Sequence, residues 1–264
     1  MALGSPRTQT RGLQILESQF NAADYSPVDQ GSIKVIYSLD QMGSSVKGDT
    51  KPVFALGVLK ESSESTQALL SEEIHDLGVL KAAGLPVVDV LKEVFLPEGK
   101  QGYLMPWIAD AIQVEAKTPS SRTTNAAILA VLINDVAPGS SSEMGRIRLG
   151  SKVSAAISAG KTVNFENAKT MLADLRAIKK YMQATYINDL QIMLQANTGR
   201  AIVIDPMGLM SRADLQEASS DLRNFATTTQ RWMTEMMETL RVVLTLQNMS
   251  NKDVRERTLL SLIN

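Results

Sequence analysis

Residues 186–208 read YINDLQIMLQANTGRAIVIDPMG. Two short apolar runs, IML and AIVID, are separated by Gln195-Ala196-Asn197-Thr198-Gly199-Arg200, a polar segment carrying the asparagine and glycine that tight turns favour. The pattern predicts a compact β-hairpin. Asp189 precedes the first strand and Asp205 ends the second. Pairing the strands therefore brings one carboxylate from each to the same edge, where the two can share a divalent cation and a phosphate-bearing substrate.

Working outward, a long amphipathic stretch from Phe165 to about Ala184 leads into the hairpin. From Arg212 the chain is again helical by period, with Trp232, Met233, Met236, Met237, Leu240, Val243 and Leu244 as a core stripe. Further upstream, the texture turns helical after Trp107, with apolar periodicity over Asn125–Val136 and an interruption at PGSSSEMG. TPSSRTT and PGSSS read as exposed loops, and Asp174, Arg176, Lys179 and Lys180 as a solvated helix face.

The first half has a different character. GSIKVIYSL (31–39) and PVFALGVLK (52–60) read as two strands joined by a glycine- and serine-bearing loop. Glu64–Ala83 reads as a helix whose Leu69, Leu70, Glu73, Leu77 and Leu80 share a face, ended by Gly84 and Pro86. VVDVLKEVFL and GYLMPWI flank the turn Pro97-Glu98-Gly99-Lys100 as a second antiparallel pair. Residues 1–30 are polar, lack the apolar core of a cleaved secretory signal, and are expected to form a flexible leader.

Composition removes several chemistries. Of 264 residues, 44% are hydrophobic and 21% charged, within the globular range. With 27 basic against 28 acidic side chains the net charge is −1, so no bulk field draws the chain to nucleic acid. No apolar run reaches the ~18 residues of a membrane span. Without cysteine, and with His75 as the only histidine, thiolate sites, cysteine nucleophiles and histidine-rich metal sites are excluded. Carboxylates, a lysine, hydroxyls or bound metal must carry any catalysis. His75 is read as a surface or packing residue.

In their order, these segments resemble the protein-kinase-like superfamily, which includes small-molecule phosphotransferases. Val58-Leu59-Lys60 ends the strand where that family keeps its phosphate-binding lysine, and Glu73 in E-x₁₀-GLPV is similar in spacing to its helix glutamate. Glu73 falls on the apolar face of its helix, so it needs a cation, and Lys60 is the expected partner, with Glu72 the second choice for the acid. Tyr186-Ile187-Asn188-Asp189-Leu190-Gln191 resembles the catalytic loop and Ile204-Asp205-Pro206-Met207-Gly208 the metal-binding segment. The resemblance implies that Asp189 orients the attacking hydroxyl, that Asp205 holds the metal with Gln191 in the amide role, and that Lys60 and Glu73 hold the nucleotide. Gly43 and Ser44, within Leu39–Val46, would cover the phosphates, and Met105, Pro106 and Trp107 would meet the adenine.

The expected fold is thus α+β, a two-lobed kinase-like arrangement. It has a leader over 1–30, a small antiparallel-sheet N-lobe over 31–107 and a reduced, mainly helical C-lobe over 108–264, with a nucleotide cleft. The expected activity is transfer from ATP, with Mg or Mn, to a serine or threonine of a host protein. The small size and signal-free leader are similar to effector kinases that bacterial pathogens secrete into the host cytosol. A cytoplasmic enzyme is the alternative location. The loop Leu39–Val46 has one glycine where three are usual, and Ile187-Asn188 replaces the family's His-Arg, so a pseudokinase scaffold is a second expectation. A small-molecule phosphotransferase is a third.

Overall fold

The computed structural model describes residues 17–18, 20–46, 51–116, 121–133 and 143–263. The chain divides into two compact units. The first comprises the described residues up to Gly78 together with Val88–Ala109, and the second Val79–Val87 together with the described residues from Asp110 onward. The α+β class, with an antiparallel sheet in the N-terminal part and mainly helices in the C-terminal part, agrees with the sequence. Among the described residues, no helix is long and apolar enough to cross a membrane.

In the first unit, strands β1 (Pro27–Gln30), β2 (Lys34–Leu39), β3 (Phe54–Leu59), β4 (Lys92–Phe95) and β5 (Gln101–Pro106) form one antiparallel sheet in the order β1-β2-β3-β5-β4. Helix α1 (Glu64–Ala82) follows β3. All six residues of β3 are buried because both its faces are covered, which is why PVFALGVLK reads as a continuous apolar run. On one face Leu59 and Tyr103 pack with Leu70 and Ile74 of α1. On the other, Leu56, Val58, Tyr37, Leu39 and Leu104 pack with Phe20. Gly84, at φ +78, ends the helix in the left-handed conformation, its N–H donating to Lys81 O at 2.9 Å and that of Leu85 to Leu80 O at 3.1 Å.

The stretch expected to form a leader, residues 1–30, includes described residues that pack or pair. Residues 1–16 and 19 lie outside the described ones, but Phe20 is buried, and its ring centroid lies 4.8 Å from Tyr25 and 5.6 Å from Tyr37. The strand β1 then pairs with β2. Its four residues are all exposed, so it leaves no apolar alternation in the sequence.

The second unit holds β6 (Ala111–Glu115), α2 (Ser121–Ile133), α3 (Glu143–Ser158), α4 (Phe165–Tyr181), β7 (Thr185–Ile187), β8 (Gln191–Gln195), β9 (Ala201–Val203), β10 (Leu209–Ser211), α5 (Arg212–Glu217), α6 (Ser220–Thr245) and α7 (Lys252–Ser261). The expected hairpin is β8–β9, and the methionine-rich stripe of α6 is in the core. Directly after Trp107 the chain forms a strand where helix was expected: β6 pairs with β8 and completes the sheet β6-β8-β9. The PGSSS loop, all but Ser121–Thr124 of TPSSRTT, and residues 134–136 of the expected helix lie outside the described residues.

The β8–β9 turn is tied to α4. Asn167 Nδ2 donates to Ala196 O at 2.6 Å, and the Asp174 carboxylate accepts from Arg200 Nε at 2.7 Å and Ala201 N at 3.0 Å. Asp174 is therefore a strut of the hairpin and not part of a solvated face. Gly199 has φ +66 at this junction, and a Cβ there would lie 2.4 Å from Asn167 Cα. Gly199→Ala meets backbone on one side and an unfavourable φ on the other, so it should destabilise the protein by about 1–3 kcal/mol in urea unfolding. Unchanged stability would show that the turn is not held as described.

Candidate functional site

The first unit buries a charge pair. Lys34 Nζ, on β2, donates to Glu73 Oε1 on α1, and the Tyr103 hydroxyl of β5 donates to the same oxygen. Lys34 Nζ also donates to Tyr103 Oη at 3.2 Å and lies 5.3 Å from the centroid of that ring. Side-chain exposure is 7% for Lys34 and 4% for Glu73. A chain of charge-assisted bonds across two strands and a helix is the geometry that makes a buried pair tolerable.

The partner of Glu73 is thus Lys34, correcting the pairing with Lys60. Side chains alternate along a strand, and the face of β3 that meets α1 includes Leu59, together with Tyr103 of β5. Val58 belongs to the opposite face. Lys60, one residue past Leu59, has the parity of Val58 and is exposed. The residue directly across from Leu59 on β2 is Lys34, which shares its face. Glu72 is exposed, as is His75. Lys34 and Tyr103 were passed over in the sequence because a lysine in the alternating GSIKVIYSL reads as solvent-facing.

The second unit brings the two aspartate segments together by main-chain bonds. β7 pairs with β10, with Ile187 opposite Leu209. Beyond that pair, Asn188 N donates to Gly208 O and Met207 N to Asn188 O, both at 3.0 Å, and Asn188 Nδ2 donates to Met207 O at 3.0 Å. On the other side of the aspartates, Ile204 N donates to Gln191 O at 3.2 Å. Asp189 and Asp205 are therefore bracketed between the same two sets of bonds, on facing segments, and both are half-buried. Asp189 has φ +49, a left-handed conformation that aspartate and asparagine adopt more readily than other side chains. It turns the chain from β7 into β8.

The Asp189 and Asp205 carboxylates and the Gln191 amide are oxygen donors of the kind a hard cation such as Mg²⁺ takes, commonly one or two protein carboxylates with water and phosphate oxygens filling the rest. No group of three or more acidic, histidine or cysteine side chains able to hold a metal occurs among the described residues. The Gln191 amide oxygen accepts from Gln113 Nε2 at 2.7 Å and keeps a second lone pair.

Of the remaining candidates, Gly43 (φ +77) and Ser44 sit in a turn closed by Asp40, whose carboxylate accepts from Met42 N at 2.8 Å and Ser44 N at 2.9 Å. The amides that would face a phosphate there are already bonded. Met105 stands opposite Ala55 in β5, and Trp107 N donates to Val53 O at 2.9 Å; both side chains are half-buried.

No protein-family model matches the sequence, and no curated protein does. Among solved structures, the chain is similar to APH(2")-IIia in its GDP and kanamycin complex, at 10% identity over 96% of each chain with a TM-score of 0.35. It is also similar to an aminoglycoside phosphotransferase from Streptomyces rimosus, at 15% identity over 97% of each chain and a TM-score of 0.35. A third likeness is to the choline kinase LicA from Streptococcus pneumoniae, at 13% identity over 89% of each chain and a TM-score of 0.28.

The buried pair has a direct test in stability. Lys34→Met strands the Glu73 carboxylate and should cost about 3–5 kcal/mol in denaturant unfolding. Lys60→Met should stay within about 0.5 kcal/mol of the parent. Combining Lys34→Met with Glu73→Leu should recover most of the loss; a double variant as unstable as the single one would mean that the loss is not due to a stranded charge.

Proposed function

We propose that the protein is a phosphotransferase that moves the γ-phosphoryl group of a nucleoside triphosphate to a hydroxyl acceptor. The observation that carries this reading is the buried Lys34–Glu73 pair with Tyr103. Retaining an ion pair in a core costs desolvation that apolar residues would avoid, so its presence asks for a use of the positive charge. The bracketed Asp189 and Asp205 supply the complementary acidic chemistry.

In this reading Lys34 replaces Lys60 as the phosphate-binding cation. Glu73 and Tyr103 hold its ammonium in one place, so that it needs no reorganisation when phosphate charge develops. Asp205 would hold the metal ion with Gln191, and that ion would neutralise phosphate charge. Asp189 orients the acceptor hydroxyl and takes its proton as the O–P bond forms and the nucleoside diphosphate leaves. Positioning and charge neutralisation suffice for this reaction, which suits a chain without cysteine and with one exposed histidine. Met105 and Trp107 are the proposed neighbours of the base. Gly43 and Ser44 receive no phosphate role, since Asp40 occupies their turn.

The acceptor proposed is a serine or threonine hydroxyl of a host protein, a reading that rests on the resemblance of the Asp189 and Asp205 segments to protein-kinase-like motifs. A small-molecule hydroxyl is the second acceptor reading, favoured by the spacing of Glu73 from Gly84.

Incubation with ATP and Mg²⁺ or Mn²⁺, followed by mass spectrometry of candidate proteins and metabolites, should show the mass of one added phosphoryl group. Asp205→Asn and Asp189→Asn should each lower transfer by at least about 10²-fold, and Lys34→Met likewise, while Lys60→Met keeps it within about twofold. ATP with Mg²⁺ should also raise the melting temperature. No transfer and no thermal shift would overturn the proposal, and a thermal shift without transfer would leave a nucleotide-binding scaffold in its place.

A further inference from the structure

A concavity in the helical unit is not used by the reaction above. It lies along α5, the first half of α6 and the approach to β7, with a volume of about 360 Å³, inside the roughly 300–1,000 Å³ common for small-molecule sites. Its polar wall is formed by Arg212, Arg223, Gln183, Gln216, Gln230 and Thr227. Met182, Leu215 and Ala226 supply apolar surface, and Tyr186 lies in the same wall. No aspartate or glutamate is among the residues lining it.

Three observations give this cavity a sign and a purpose. Arg212 and Arg223 form no ion pair among the described residues, so neither guanidinium is neutralised by a carboxylate there. Arg223 is also held in place, because its Nη1 donates to Gln216 O at 3.0 Å and to Ala218 O. With Nη1 used by carbonyls, Nη2 and Nε remain as donors on a guanidinium whose orientation is already fixed, which lowers the entropy lost on binding. Finally, the Tyr186 hydroxyl is buried with no hydrogen-bond partner among the described residues, the neighbouring Thr229 hydroxyl donating instead to Phe225 O at 3.0 Å. Burial pushes the Tyr186 phenol above its usual pKa, and the charge of Asp189 adds to the rise. It is therefore a protonated donor at neutral pH.

We propose that this cavity binds a small organic anion, a phosphate- or carboxylate-bearing molecule held between Arg212 and Arg223 with the glutamine amides completing its hydrogen bonds. Two unpaired guanidiniums on one concave wall fit such a ligand in charge and in fork geometry. No carboxylate lines the wall to pair with a cationic ligand. The proposal is independent of the phosphotransferase reading, which uses none of these residues.

The test is isothermal titration of the full chain without nucleotide or metal, with pyrophosphate as the phosphate probe, citrate as the carboxylate probe and spermidine as the cationic control. One of the two anions should bind saturably, and the stronger identifies the head group. Arg212→Glu, at an exposed position, should weaken binding at least about tenfold, the equivalent of one lost charge-assisted hydrogen bond, with an unchanged melting temperature. Gln230→Glu places a negative charge in the same wall from another helix and should do the same. Saturable binding of neither anion, binding indifferent to both variants, or spermidine binding as tightly as the anions would each overturn the proposal.

Discussion

Lys34 and Glu73 are almost wholly withdrawn from water, and in that setting neither charge is stable without the other. The constraint reaches well beyond two side chains. It requires β2 to face α1 with the lysine inward, and a one-residue slip of β2 against β3 would turn that ammonium to the opposite face of the sheet. It also requires α1 to present Glu73 between Leu70 and Leu77, where the apolar stripe is densest. Tyr103 joins β5 to the same point. Strand register, helix rotation and sheet order in the first unit are thus specified by this polar cluster together with the apolar contacts around it.

The second unit solves a different problem, since the two segments that carry Asp189 and Asp205 must be held against each other. Main-chain bonds do this work: the Asn188 and Gln191 backbones grip Met207, Gly208 and Ile204 on either side of the acids. Asn167 and Asp174 then fasten the far end of the hairpin to α4. The two segments are thus joined by peptide groups, which do not titrate, so this pairing does not depend on pH.

What could be read in the sequence was whatever local period or turn chemistry expressed. The β8–β9 turn, α1 with its glycine stop, the β4–β5 pair and the core stripe of α6 all announce themselves in this way. Three features did not. β1 is exposed along its length, so its membership of the sheet depends on pairing alone. β6 is a short alternating AIQVE whose partner lies some eighty residues on, a contact no window on the sequence can see. The acid half of the buried pair was visible because Glu73 interrupts an apolar stripe, but the basic half was not, since Lys34 alternates as a surface lysine would. Choosing between Lys34 and Lys60 needed the register of β2 on β3, a tertiary fact.

Asp189 illustrates how tightly one position can be bound by two unrelated demands. Its backbone conformation is one that glycine and asparagine would also accept, yet neither carries a charge. Glutamate would restore the charge but fits the left-handed turn less well and carries its carboxylate one methylene further out. Of the twenty amino acids, aspartate best combines this backbone conformation with a negative charge, so a random substitution here alters either the path of the chain or the charge at its bend.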